Sequence, residues 1–461
     1  MTSGTHPLLE HPGLKSAWPL FDTIFKRRSR RFAMGAEIPG GPTRYKSRFA
    51  PMPLDELEEA LLVEAATGVT GRVLADLPFR DDKEREAGGN TILTWLGLTF
   101  ASPCNSHEAR LIYWNDEGTY FIKFENIQPT KTLEFEGPED QEKVLHHFRA
   151  ARVKLFDGRP QYPRRYPVML PFNLWDSDIP GSTIFLPVLD TTEESINALL
   201  LMVGWPDGGI AVVDDIQGGG RYAGCERWVK EGLLKEKLTM PLSLLGIVSI
   251  IEAGFMEQNL QLAVQAMGLG GWVHATPNPL VLLGGTPLAK GLGFRFITPK
   301  YGQRARGGAG VGVPSVAPIP VGLDGILETH LPVYYGSMDK AVDHIVEKKF
   351  GVGGIYTPTC SQIAVRGAEG FASGVPVYSE AQVQCVKDIC NYCWETYGRF
   401  PVAYDPIVTT AWFQAHHLDL EFYDRFYGPE SYTETQARHM ELWHGPAAQR
   451  ALEAVRGAVA V

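Results

Sequence analysis

The residues best suited to chemistry stand together near the start of the chain, in Phe25-Lys-Arg-Arg-Ser-Arg-Arg-Phe32. Five of the six residues from Lys26 to Arg31 are cationic, with Ser29 among them. On an extended segment side chains alternate, so Arg27, Ser29 and Arg31 share one face and Arg28 and Arg30 take the other. Two guanidiniums bracketing a hydroxyl form a compact clamp for a phosphate dianion, each arm giving charge-assisted hydrogen bonds. The phosphate of a mononucleotide suits such a clamp better than a duplex does. Read alone, the stretch also fits a solvated basic turn or a helix C-terminus that favours cations.

Three other groupings have residue types that bear chemistry. Cys385-x4-Cys390-x2-Cys393 has the spacing of part of a plant-type iron–sulfur site. It lies on a helical pattern with Val383, Val386, Ile389 and Trp394 and has no clear fourth ligand, so buried helix cysteines are the expectation. His416, His417 and Asp419, with His439 and His444, are donor types for a metal. Adjacent histidines often point apart and the segment is thick with aromatics, so packing or an interface is expected and no metal. The Gly-rich run at 307–312 neither follows a clear strand nor opens a helix, unlike a dinucleotide loop. Cys104 reads as structural rather than as a nucleophile.

The elements that must position these groups are legible in the pattern. Residues 14–25 predict a helix burying Leu14, Trp18, Phe21 and Phe25, with the basic cluster directly after it. Leu54-Asp-Glu-Leu-Glu-Glu-Ala-Leu-Leu predicts a second helix, stopped near Gly68. Two β-rich runs flank Asn115-Asp-Glu-Gly118, a hairpin with Gly at a position needing positive φ. Residues 183–189 and 209–213 read as strands. Between them lies a helix whose Thr191 and Glu194 are spaced for a capping box. The strongest helical signal runs on from Pro241 to Gly268. Its apolar residues, from Leu244 to Met267, fall on more than one face, so deep burial is expected. Gln258 and Asn259 are polar exceptions there and need partners. Residues 301–325 are rich in Gly and Pro and read as a loop. Two helices and an aromatic tail follow.

Taken in order, these pieces resemble the nitroreductase superfamily of FMN flavoproteins. Arg27, Ser29 and Arg31, with Arg28 between, match its phosphate-binding signature after the first helix. Residues 102–118 resemble the family's Pro-Ser-x-x-Asn-x-Gln-Pro-Trp segment and following strand. Ser102 and Asn105 match there, His107 stands where Gln is usual, and the Pro-Trp is absent. Residues 252–272 resemble the buried dimer-core helix with its Gln-Asn-Leu and Gly-Leu-Gly. His274-Ala-Thr-Pro-Asn-Pro-Leu280 resembles the next loop, whose backbone contacts the isoalloxazine ring in the deiodinase branch; this nominates Thr276, Pro277 and Asn278. Arg304 or Arg306 would supply the basic residue that completes the phosphate site.

The resemblance implies an α+β nitroreductase-like fold: an antiparallel-rich central sheet flanked by helices, with a long buried dimer-core helix. It implies a core over 14–310 with insertions near 72–98 and 127–180, a loop or linker over 311–325, and a C-terminal extension over 326–461 packing on the core or the partner subunit. It also implies FMN, NADH or NADPH as reductant, a homodimer, and a nitro, quinone or halogenated aromatic acceptor. Some branches instead run as oxidases or dehydrogenases of a natural-product precursor, and a non-catalytic flavin-fold binder is a further alternative. Composition sets bounds on all three. The chain has 461 residues, 44% hydrophobic and 21% charged, which is ordinary globular composition. A net charge of −10 argues against a general nucleic-acid binder. No stretch predicts a membrane span or signal peptide, and six cysteines suit reduced thiols in a cytoplasm.

Overall fold

The computed structural model describes residues 12–73, 90–128, 140–205, 208–216, 220–275, 278–299 and 317–431, with isolated positions at 135, 137 and 434. Helices and mainly antiparallel sheets mix in an α+β architecture. The main sheet has seven strands: β1 (Ala109–Trp114), β2 (Gly118–Ile122), β3 (Arg152–Asp157), β4 (Thr183–Asp190), β5 (Gly270–His274), β6 (Ile407–Val408) and β7 (Trp412–His416). Its order is β5-β7-β4-β1-β2-β3, with β6 also on β4, and every pair is antiparallel.

β4 is buried at every position, as its near-continuous apolar sequence requires of a central strand. Pro187, which cannot donate to a ladder, sits in its middle. It lies opposite the gap between two partners, since β7 pairs only with Thr183–Phe185 and β6 only with Leu189 and Asp190. The β1–β2 hairpin forms as expected, but Gly118 does not have positive φ. The turn is made instead by Asn115 Oδ1, which accepts from the Glu117 and Gly118 amides at 2.9 and 3.1 Å. Gly118 is required for space: a Cβ there would meet the Tyr120 ring at 2.7 Å.

The principal helices are α1 (Pro12–Lys26), α2 (Glu56–Thr67), α3 (Thr192–Val203), α4 (Ile247–Met267), α5 (Met338–Phe350), α6 (Glu380–Tyr397) and α7 (Leu420–Phe426). α2 starts at a full capping box between Asp55 and Glu58 and ends at Gly68. The capping box expected at Thr191 does not form. Asp190 Oδ1 takes the Thr192 amide at 2.7 Å, while the Thr191 hydroxyl donates to the Asp405 carbonyl at 2.8 Å. On α1, Phe25 is 66% exposed rather than buried. The side chains of Leu14 and Trp18 lie outside the described residues.

α4 packs Ala253, Met256, Leu260 and Val264 into one core with α2, β1, β2 and β7. Deep burial on all faces does not hold, however. Ile247, Val248, Ile251 and Phe255 stay exposed at 41–49%. Asn259 finds its partner in the Thr99 carbonyl at 3.1 Å. Three further stretches take places in sheets. Ile319–Leu323, read as loop, forms a strand against Arg295–Ile297. Trp412–His416, expected in an extension, is an inner strand of the main sheet. The stretch read as an insertion near 127–180 supplies the edge strand β3.

Candidate functional site

The site is assembled where the basic segment crosses α4 and β5. Arg30 forms an antiparallel bridge with Gly271, and Ala33 with Leu418, so residues 27–33 run extended beside the sheet. On α4, Glu257, Gln261 and Gln265 recur every four residues and make one polar stripe. Gln265 Oε1 accepts the Arg28 amide at 3.1 Å, and Gln261 Nε2 donates to the Arg28 carbonyl at 3.5 Å. The helix therefore grips the backbone of the segment and fixes which side chains face out.

Arg27, Ser29 and Arg31 line one open cavity of about 460 Å³ together with Gly254, Glu257, Gln258, Gln261, Trp272 and Val273. This is within the size range of small-molecule sites. The Ser29 hydroxyl accepts from Arg27 Nη1 and donates to Gln261 Oε1, both at 3.4 Å. Arg31 is held from behind. Its Nε donates to Asp176 Oδ2 at 2.7 Å, its Nη2 to Asn173 Oδ1 at 2.9 Å, and its Cζ lies 4.1 Å from the Trp272 ring centroid. Burial raises the Asp176 carboxyl to about 6, against the opposing pull of Arg31. Asn173 also meets His274 Nε2 at 2.9 Å, and His274 Nδ1 accepts from the Trp412 indole N–H at 3.0 Å. Burial and Arg31 lower His274 to about 4. The imidazole is thus neutral at physiological pH, with the Trp412 indole N–H at its Nδ1 and the Asn173 amide nitrogen at its Nε2.

Arg28 is exposed and does not line the cavity; its Nη1 donates to the Arg27 carbonyl at 2.9 Å. Arg30 is buried, with its guanidinium 5.5 Å from the Tyr423 ring centroid, and burial lowers its pKa. Ser102 and Asn105 do not line this cavity either. Ser102 donates to Glu252 at 2.6 Å. Asn105, at a φ of 47°, donates to the carbonyls of Thr94 and Leu96 and so ties its loop to the strand before it. Asn278 caps the short helix Pro279–Leu283 through the Leu280 amide at 2.9 Å. Thr276, Pro277, Arg304 and Arg306 lie outside the described residues, as do His439 and His444.

The remaining groupings lie apart from this cavity. Cys385, Cys390 and Cys393 are wholly buried in the core around α5 and α6, and burial raises each thiol. Burial likewise raises Cys104, to about 12, which disfavours a nucleophilic thiolate. His416 is buried and lowered to about 3, while His417 meets Glu58 at 3.1 Å and Asp419 caps α7. No group of three or more metal-donor side chains with suitable geometry occurs among the described residues.

Sequence reasoning missed Glu257, Gln261, Trp272, Asn173 and Asp176. The four-residue recurrence of polar side chains on α4 was a usable signal for two of them. Asn173 and Asp176 reach the site only through tertiary folding. No family model matches the chain, and no curated protein matches it. Among solved structures, that of a candidate nitroreductase of Ralstonia eutropha JMP134 is 16% identical, covers 63% of this chain and 79% of that one, and superposes with a TM-score of 0.25. No helix among the described residues is long and apolar enough to cross a membrane.

Proposed function

We propose that the protein is an FMN-dependent oxidoreductase of nitroreductase-like fold, moving hydride or electrons between NADH or NADPH and an organic acceptor of the nitro, quinone or halogenated aromatic class. The observation that carries this reading is the convergence of Arg27, Ser29 and Arg31 on one cavity beside the core helix. The donor set fits the phosphate end of FMN: two guanidiniums and a hydroxyl, with the Ser29 oxygen already oriented by Gln261. When bound, the flavin supplies the hydride chemistry at its ring.

The chain's own residues would bind and orient. Arg27 and Ser29 would hold phosphate oxygens from one side. Arg31, stacked on Trp272 and anchored to Asp176, would meet them from the other. The neutral His274, fixed by Trp412 and Asn173, keeps the wall behind Arg31 free of a further cation. The exposed apolar face of Ile247, Val248, Ile251 and Phe255, with Leu20, Ile24 and Phe25 exposed on the adjacent α1, supports a homodimer.

The test is the absorption spectrum of the purified protein. A flavin spectrum bleached by NADH or NADPH supports the reading. A flavin bleached only by an organic substrate would point to an oxidase or dehydrogenase. A colourless protein that takes up no FMN would overturn the flavin assignment and leave a binding protein.

A further inference from the structure

Glu257 stands in the wall of the cationic cavity, one helical turn from the Gln261 that orients Ser29. It is 8% exposed, and its Oε1 is buried with no hydrogen-bond partner. A carboxylate is an unexpected lining for a site whose other charged groups are Arg27 and Arg31, and neither forms an ion pair with it. We propose that Glu257 makes ligand uptake proton-coupled: a phosphate monoester enters the cavity together with one proton, which resides on the Glu257 carboxyl. The proposal rests on the phosphate-binding reading of this cavity and adds its regulation by pH.

The argument is one of charge and solvent. Arg31 is already paired with the wholly buried Asp176. With Glu257 and Asp176 both ionised, the cavity and its immediate backing carry no net positive charge. A phosphate dianion added to that wall would be uncompensated. A ligand would also strip the remaining water from Glu257, and losing water favours the neutral acid. Gly254, one turn below, leaves open space where a side chain would stand, so a ligand can reach this part of the wall. Burial alone already raises the carboxyl to about 7, so the proton is taken up in the physiological range.

Other titratable groups surround Glu257, and burial raises Glu59 and Glu64 of α2 to about 7 and Glu252 of α4 above the usual range, so the variant that assigns the proton is one at Glu257 itself. α1 brings Asp22 and Lys26, paired with each other at 2.9 Å. The basic segment brings Arg27, Arg28, Arg30 and Arg31. α2 brings Glu56, Glu58, Glu59 and Glu64. β5 and β7 bring His274 and His416, both held neutral by burial.

The test uses the full chain with FMN and inorganic phosphate as probes. Titration calorimetry at pH 8 in two buffers of different ionisation enthalpy should show uptake of about one proton per ligand. From pH 7 to 9 the affinity should fall by up to roughly tenfold per pH unit. Glu257→Gln, nearly isosteric, should bind with a flat profile and more tightly than the natural chain at pH 9. Binding without proton uptake, or parallel pH profiles in the two chains, would overturn the proposal. Phosphate bound with a proton while FMN is refused would sink the flavin reading and leave this inference standing. If neither probe binds, both fall.

Discussion

The Nε of Arg31 donates to Oδ2 of Asp176 at 2.7 Å, and that carboxylate is completely shielded from solvent. The clamp is therefore built with one arm braced and one arm looser. Arg27→Ala and Arg31→Ala should each weaken FMN binding by roughly tenfold or more, since a hydrogen bond to a charged group contributes about 1.5–3 kcal/mol. Arg30→Ala should act differently. Arg30 is buried over Tyr423, so its loss should lower thermal stability with less effect on affinity. Fluorescence titration of the three variants decides; equal affinities would remove the clamp assignment.

The pair His274 and Trp412 gives a pH signature. His274 falls from an ordinary value near 6.5 to about 4 in the fold. Between those values the unfolded chain binds the extra proton, so this contribution to stability is lost as pH falls through that window. The loss amounts to about 3 kcal/mol at most. His274→Asn should be destabilising at pH 7, where it forfeits bonds to Trp412 and Ser177. The gap to the natural chain should narrow by pH 4.5. Urea unfolding at both pH values checks it; an unchanged gap would mean His274 titrates normally.

Ile251 and Phe255 lie on the exposed face of α4. Light scattering should give twice 50.9 kDa for the natural chain. Ile251→Glu should shift the distribution toward one copy, because a desolvated charge in an apolar interface is costly. A compact monomer in the natural chain would rule out the proposed dimer.

A chain stopped at Gly325 should be insoluble. It would lack β7, which fills the sheet between β5 and β4. It would also lack Phe413 from the core that α4 shares. A soluble, flavin-binding truncation would show that the sheet tolerates the gap.

Much of this architecture is local and so was legible. α2 carries its capping box in four consecutive residues, and α6 is bounded by Ser379 and Gly398 in the same way. The hairpin at Asn115–Gly118 is written in its turn residues, although Asn115 rather than the glycine shapes it. What failed was long-range. Nothing in Trp412–His416 names Thr183 and Gly270 as neighbours, because strand pairing is chosen by tertiary fit. Phe25 carries the right residue type for burial, yet the fold leaves it exposed. At the site, alternation grouped Arg27, Ser29 and Arg31 on one face, and all three line the cavity, whereas Asp176 and Glu257 are ordinary acids until folding excludes water from them.

The late position of β7 sets the order in which the molecule can be made. β4 and β5 are synthesised long before the strand that joins them. Until Trp412–His416 has left the ribosome, each presents an unpaired hydrogen-bonding edge next to apolar side chains. Such edges recruit other strands, including those of neighbouring nascent chains. Closing the sheet also requires contacts between residues far apart in sequence, which slows folding. A slow step that waits on β7, sensitive to chaperones and to translation rate between β5 and β7, follows from the placement of a single five-residue strand.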